Sequence, residues 1–422
     1  MYSSNSSLLG ETKSRFMQPA TVFMISTMLV NGGNYLYNLA IGRVLGPADF
    51  AEAGILMSLI LVVSFIGMTF QMVATKFVLE LDQQHQYAFR KVLSKTAQVA
   101  GISLSVLLIL AAKEVSHYLN LHSTIPLYIF ATCLPAYFGM SYRRGLLQGK
   151  QQFLQLAGSY QTELWIKILL TIVLILCFPH QSGIIIAAAM ALSVILGMCS
   201  TRINTVTPHY TDLLPKQLSR QIIKYALFII LYEGIQIMIN YGDLFIVNHY
   251  FDHEIAGLYT SLSIIGRMVY FMTWMLVMVL VPTVLQQRKS GLPYHHLMHR
   301  YMIYIATTVV LLTVSCFLRP QLIIELLFGS SFLHLAPQLW LYALATGLFA
   351  LANLFLYFFI AIEQFKPVYV AALVAIGQLI AYQFYHRSIA DIIHVQVVGM
   401  SILLLTMVLW YYIGRHGKPL AT

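Results

Sequence analysis

The chain has 422 residues, 59% of them hydrophobic and only 9% charged, with a formal net charge of +10 and a mean hydropathy of +0.75. Soluble domains carry about 25% charged residues, so a water-soluble globular protein is excluded and most of the surface must face lipid. The basic excess calls for no nucleic acid, since lysine and arginine on loops facing anionic lipid account for it. The four cysteines, Cys133, Cys177, Cys199 and Cys316, stand singly in apolar runs without Cys-x-x-Cys spacing. They read as small packing residues rather than a disulfide frame or a zinc site.

The first apolar run, Pro19 to about Gly42, is longer than the roughly 7 to 15 residues of a signal-peptide core, and is expected to stay as a helix. It carries Asn31, Asn34 and Asn38, a spacing that stacks three amides on one helix face. Gly46-Pro47 then ends the run, because proline cannot continue the hydrogen-bond ladder. A related pattern returns at Asn240-Tyr-Gly-Asp243 and again at Phe251-Asp-His-Glu254. Asn34 to Asn240 and Asp49 to Glu254 span nearly the same interval, which points to two halves on one plan.

A crossing helix needs about 20 apolar residues. That ruler places twelve, centred near Val30, Val62, Ser105, Ala131, Leu170, Leu192, Gly234, Phe271, Val310, Ala350, Ala375 and Leu404. The fold class is therefore an all-α integral membrane protein of two pseudo-repeated six-helix bundles around a central cavity. The expected boundaries are 1–201 for the first bundle, 202–222 for a cytoplasmic linker with Pro208 and Pro215, and 223–422 for the second. Most loop cations fall on the side of the termini, while only Arg43, Lys113, Arg319 and Arg387 fall on the other. By the positive-inside rule both termini are cytoplasmic. The Asn-Ser-Ser sequon at Asn5 lies beside Lys13 and Arg15 on that side, and reads as a chance match.

Ionisable groups at membrane depth are costly and mark function by default. Glu233, Gln236, Asn240 and Asp243 share one arc of the seventh helix, either lining a wet cavity or gluing the bundle. Arg267 sits near the bilayer midplane and needs water, an anionic ligand, or a pair with Asp243 or Glu233. Glu163 precedes Lys167 by four residues, the favourable order for an intrahelical ion pair, with ligand contact as the alternative. Arg43 suggests a partner in Asp49 or Glu52, a role at the outer mouth, or an interfacial arginine. His295, His296 and His299 have metal-like spacing, but no acidic or cysteine ligand lies nearby, and no metal is assigned. No catalytic triad, phosphate loop or nucleotide motif is present.

Two stretches carry a family likeness. "NLAIGRVLGPADFAEAGILMSLI", with Arg43, Leu45, Gly46, Pro47 and Asp49, resembles the end of the first helix in bacterial polysaccharide and O-antigen repeat-unit flippases. "YRRGLLQGKQQF", with Arg144, Gly145, Leu147, Gln148, Gly149 and Phe153, resembles the loop after their fourth helix. "DLFIVNHYFDHEIAGLYTSLSIIGRM" and "LFGSSFLHLAPQLWLYAL" are similar to second-half segments of the same family. These proteins form the polysaccharide transporter family of the multidrug/oligosaccharidyl-lipid/polysaccharide (MOP) exporter superfamily, whose multidrug branch is called MATE. Two departures stand out. Phe50-Ala51-Glu52-Ala53 replaces the usual glycine before an aromatic residue, and the twelve helices contrast with fourteen in some relatives.

The resemblance implies a flippase, not an enzyme, that moves a polyprenyl-diphosphate-linked oligosaccharide from the cytoplasmic to the outer leaflet of the bacterial inner membrane by alternating access. No catalytic residue and no cofactor are expected, with H+ or Na+ as the coupling ion through Asp243, Glu233 or Glu163. Arg267 and Lys167 are the expected diphosphate or acidic-sugar contacts, with Arg143 and Arg144 at the inner mouth and Arg43 at the outer. Asn34, Asn38, Gln236 and Asn240, together with Asn31, offer sugar hydroxyls donors and acceptors, with Asn34 and Asn240 facing each other across the cavity. Expected partners are the lipid-linked oligosaccharide, membrane lipids, and a glycan polymerase and glycosyltransferases of the same pathway. The alternatives are a multidrug cation antiporter of the same superfamily, a membrane glycan polymerase or ligase, and a non-transporting scaffold.

Overall fold

The computed structural model describes residues 19–178, 182–201, 214–289, 295–362 and 364–416. Among them the chain is helical throughout, with no strand. In order it forms α1 (Pro19–Glu80), α2 (Gln83–Leu110), α3 (Ala112–Tyr118), α4 (Ile125–Gly149), α5 (Phe153–Cys177) and α6 (Ser182–Cys199). The second half continues with α7 (Lys216–Tyr250), α8 (His253–Lys289), α9 (His295–Leu318) and α10 (Pro320–Leu327), then a 3-10 segment, Ser330–Gln338. It closes with α11 (Leu339–Ala361), α12 (Lys366–Phe384) and α13 (Ile389–His416). Among the described residues ten segments are long and apolar enough to cross a membrane. The first of them, Thr21–Val78, runs for 58 residues and bends at Gly46, so it makes two crossings. Adding α4 brings the crossings among the described residues to the expected twelve. α4 lacks the apolarity of its neighbours because α2 and α6 sheathe it, which lets it carry tyrosine, serine and arginine.

The chain gathers into two compact units that do not follow the expected boundaries. One takes the described residues up to Asn38 together with Ile55–Gly234, and the other takes Leu39–Gly54 with the chain from Ile235 onward. The elbow of α1 thus belongs with the second half, and the first part of α7 with the first half. Residues 202–213 of the expected linker lie outside the described residues.

The elbow has a clear physical basis. Gly46 adopts φ 74°, ψ 174°, a backbone that residues with a Cβ take up only at a cost. Around it, the Phe50 ring packs 5.6 Å from Phe328 and 6.0 Å from Phe332. Gly257 approaches the Pro47 backbone so closely that a Cβ there would overlap the Pro47 carbonyl. Arg43 donates to the carbonyls of Glu325 and Leu326, at the C-terminal end of α10, where a cation is favoured by the helix dipole. The anticipated Asp49 or Glu52 is not its partner in these bonds. Nothing lies within 4 Å of a Cβ built at Gly46, so the Gly46→Ala penalty is conformational alone. It should cost about 1–3 kcal/mol and lower the unfolding temperature of the detergent-solubilised protein. An unchanged unfolding temperature would mean that the elbow relaxes.

Each unit is built on one buried helix. In the first, α4 packs against α2 and α6. Gly145 and Gly149 let α4 lie directly on the second arm of α1, where added Cβ atoms would meet the backbone of Gln71 and Thr75. This small-xxx-small contact lets two backbones approach, and Thr75 Oγ1 donates across it to the Gly145 carbonyl at 3.1 Å. In the second unit α11 packs against α8, α9 and α13. Thr346 Oγ1 donates to the Gly266 carbonyl at 2.8 Å, and Gly347 is filled against Val309.

Candidate substrate and coupling site

Two polar clusters lie at membrane depth, one in each unit. In the first unit Lys167, on α5, donates to Asn34 Oδ1 on α1. Its ammonium stands 4.7 Å from the centroid of the Tyr37 ring, a cation–π contact that offsets part of its desolvation. Tyr37 in turn shares a 3.0 Å hydrogen bond with Thr171. One helical turn away in sequence, Glu163 pairs with Arg144 at 2.7 Å. Arg144 also donates through Nε to Ser159 Oγ at 3.0 Å and through Nη2 to the Ser159 carbonyl at 2.9 Å, with its guanidinium 4.0 Å over the Tyr160 ring.

This pairing differs from the intrahelical Glu163–Lys167 reading. Arg144 reaches over from α4 with a planar fork that satisfies a carboxylate and a carbonyl together, which an i,i+4 lysine cannot do. It also relocates Arg144 from the expected inner mouth to a buried clasp, with 3% of its surface exposed. Gln148 joins the same seam, accepting from Gln71 Nε2 at 2.9 Å. The "RRGLLQG" segment is thus a packing seam between α4 and its neighbours, with only Arg143 and Gln148 half-buried.

In the second unit the stripe on α7 makes two separate sets of bonds. Gln236 Nε2 donates to Asn353 Oδ1 at 3.0 Å, and Asn353 Nδ2 donates to the Tyr270 hydroxyl at 3.1 Å. Asn240 turns its amide back to the Gln236 carbonyl of its own helix at 2.8 Å, so that bond does not join it to a neighbouring helix. Asp243 is fully buried and accepts through Oδ2 from the hydroxyls of Tyr259 at 2.8 Å and Tyr342 at 2.7 Å. Its other oxygen, Oδ1, lies 3.5 Å from Arg267 Nη2.

Arg267 is the least satisfied member of this cluster. A guanidinium offers five N–H donors, yet Nε and Nη2 of Arg267 are buried without a hydrogen-bond acceptor. Its plane lies 4.4 Å over the Tyr241 ring, and beside it Asn240, Tyr342, Thr346 and Gln396 enclose a void of about 10 Å³, room for a single water. The site is closed in this conformation and holds a cation short of partners.

Glu233 is buried at 6% exposure and has no hydrogen-bond or ion-pair partner among the described residues. Asn38 is half-buried and Asn31 exposed. Of the histidines, the side chain of His295 lies outside the described residues, and no three metal-type ligands converge among those described. Sequence reasoning misses Asn353 and Tyr342 altogether, although Tyr342, Thr346 and Asn353 stand at i, i+4 and i+11 of one apolar helix, a spacing that could have flagged a polar face.

The sequence matches the polysaccharide biosynthesis protein family over residues 16–288. No curated protein matches it at the sequence level. Among solved structures, an inward-facing multidrug resistance MATE family transporter of the MOP superfamily superposes with a TM-score of 0.73 at 12% identity, covering 91% of this chain and 96% of the other. The lipid II flippase MurJ in an inward closed conformation gives a TM-score of 0.72 at 12% identity, covering 93% of this chain and 87% of that one. The eukaryotic MATE transporter AtDTX14 gives 0.59 at 15% identity, over 93% and 96%.

Proposed function

The chain belongs to the polysaccharide biosynthesis protein family, and from that premise we propose that it flips a polyprenyl-diphosphate-linked oligosaccharide across the bacterial inner membrane, from the cytoplasmic to the outer leaflet. It is a multi-pass membrane transporter of the MOP superfamily and not an enzyme. The carrying observation is Arg267, a buried cation whose donors exceed its acceptors. A diphosphate with its sugars cannot cross hydrocarbon unaided, and an under-satisfied guanidinium is the group that recognises phosphate oxygens. Lys167 supplies a second cation in the first unit, held by an asparagine that a sugar hydroxyl can replace. Asn34, Asn38, Gln236 and Asn240 are the proposed sugar contacts, with Arg143 and Arg43 toward the two mouths. The lipid II flippase named above, similar in fold, supports a lipid-linked cargo.

Coupling to H+ or Na+ is assigned to Asp243, Glu233 or Glu163, since loading any of these carboxylates would change the charge balance against a buried cation. Both termini are placed in the cytoplasm, and a glycan polymerase and glycosyltransferases are the expected pathway partners.

The test is Arg267→Glu in a strain whose surface glycan depends on this gene. The variant should accumulate in the membrane yet export no glycan, with lipid-linked repeat units building up inside. Wild-type glycan output would overturn the assignment. Resistance to cationic drugs that tracks expression of the wild-type protein would favour the multidrug reading suggested by the MATE-like fold.

A further inference from the structure

A second cavity in the second unit lies far from Arg267 in the chain. It is a groove of about 580 Å³ between α12 and α13, within the 300–1,000 Å³ typical of ligand pockets. Its walls are apolar, with Val374 and Ala381 from α12 and Val395, Val398 and Ile402 from α13. Polar groups gather at one end, where Tyr385, Asp391 and His394 form the rim. Gln378, also in the lining, is tied down by a 2.5 Å bond from its Nε2 to the Tyr382 hydroxyl.

The dimensions of this groove are those of one leaflet. Asp391 at the rim and Ile402 at the foot are eleven residues apart on α13, about 16 Å at 1.5 Å per residue. Half of a hydrocarbon core about 30 Å thick is about the same depth. The rim sits at the turn joining α12 to α13, where headgroups lie, and the foot sits near the midplane. An acyl chain entering from that leaflet would run the length of the groove.

The rim also has a charge pattern. Asp391 Oδ2 accepts from the Ser388 backbone N–H at 3.1 Å, and Ser388 Oγ accepts from the Asp391 N–H at 3.2 Å. This reciprocal cap fixes the carboxylate at the head of α13 and leaves Oδ1 for another donor. Arg387 and His394 are exposed on the same turn and the first turns of α13. A fixed carboxylate with basic groups beside it complements an ammonium and a phosphate on one headgroup, and it disfavours a headgroup that is anionic only.

We propose that the α12–α13 groove is a binding site for an amine-headed phospholipid of the phosphatidylethanolamine class. Its ammonium sits on Asp391, its phosphate toward Arg387 and His394, and one acyl chain lies between the two helices.

The experiment is lipid retention by the purified full-length protein, incubated with equal dioleoyl phosphatidylethanolamine and dioleoyl phosphatidylglycerol and read by native mass spectrometry. The wild type should retain the ethanolamine lipid preferentially, and Asp391→Asn should reduce that preference by about fivefold, as for loss of one interfacial ion pair worth about 1 kcal/mol. A second variant does not depend on the cap. A Cβ built at Gly377 meets nothing within 4 Å, and Gly377 lines the groove, so Gly377→Leu should fill it and release both lipids while the fold is kept. Equal retention of the two lipids by the wild type, or a preference that survives both variants, would overturn the proposal. Displacement of the phospholipid by added polyprenyl phosphate would equally overturn it, reassigning the groove to the tail of the transported lipid.

Discussion

Methionine in place of Arg267 is expected to destabilise the protein by about 3–5 kcal/mol, the usual cost of stranding one member of a buried ion pair. Asp243 is fully buried, and its Oδ1 has no compensation but the guanidinium 3.5 Å away. The two tyrosine hydroxyls on Oδ2 stabilise the carboxylate without neutralising it. Pairing Arg267→Met with Asp243→Asn should recover most of the loss, because an amide oxygen still accepts from Tyr259 or Tyr342 and carries no charge. Thermal unfolding in detergent reads the order directly, with the double variant close to wild type and the single variant well below both. Export separates structure from function, since the double variant should fold and remain inactive. A single Arg267→Met variant as stable as wild type would show that the pair contributes nothing to holding the unit together.

Gly257→Ala carries the second large effect. The added methyl would overlap the Pro47 carbonyl and crowd the Pro47 Cα, and a backbone cannot rotate away as a side chain tip can. Overpacking of this kind costs roughly 1–3 kcal/mol, and the absence of any flexible neighbour puts Gly257 at the upper end. Gly46→Ala on the same elbow is strained but has free space, so Gly257→Ala should lower the unfolding temperature more than Gly46→Ala. The reverse order would mean that the α1 elbow is not packed on α8.

The helices were legible in the sequence because hydrocarbon demands long apolar runs and leaves few other readings. The bend at Gly46-Pro47 was legible for the same local reason, since two residues suffice to break a ladder. For the charges, the sequence named Asp243 among the partners of Arg267, a pair the structure makes at 3.5 Å, but not the partners of Glu163 and Arg43, because spacing ranks only neighbours on the same helix. Glu163 has Lys167 in the ideal position, worth a few tenths of a kcal/mol at a surface, and still goes to Arg144, whose geometry is better. Arg43 has Asp49 and Glu52 close in sequence and instead finds the carbonyl end of α10, far along the chain. One signal was present and unused. Gly145 and Gly149 stand four apart in an apolar helix, the pattern of a close helix contact, which predicts a seam at "RRGLLQG" rather than a mouth.

The α1 elbow bears on how the chain is divided. The chain passes between its two units after Asn38, after Gly54 and after Gly234, each time inside a continuous helix and never in a loop. Gly46 lies within the piece that belongs with the second half, so the bend sits inside one unit and not at a crossing between the two. Two of the three crossings fall immediately after a glycine, Gly54 and Gly234. The two units therefore cannot be parted by cutting any loop, because unbroken helical backbone runs through both at each of the three crossings.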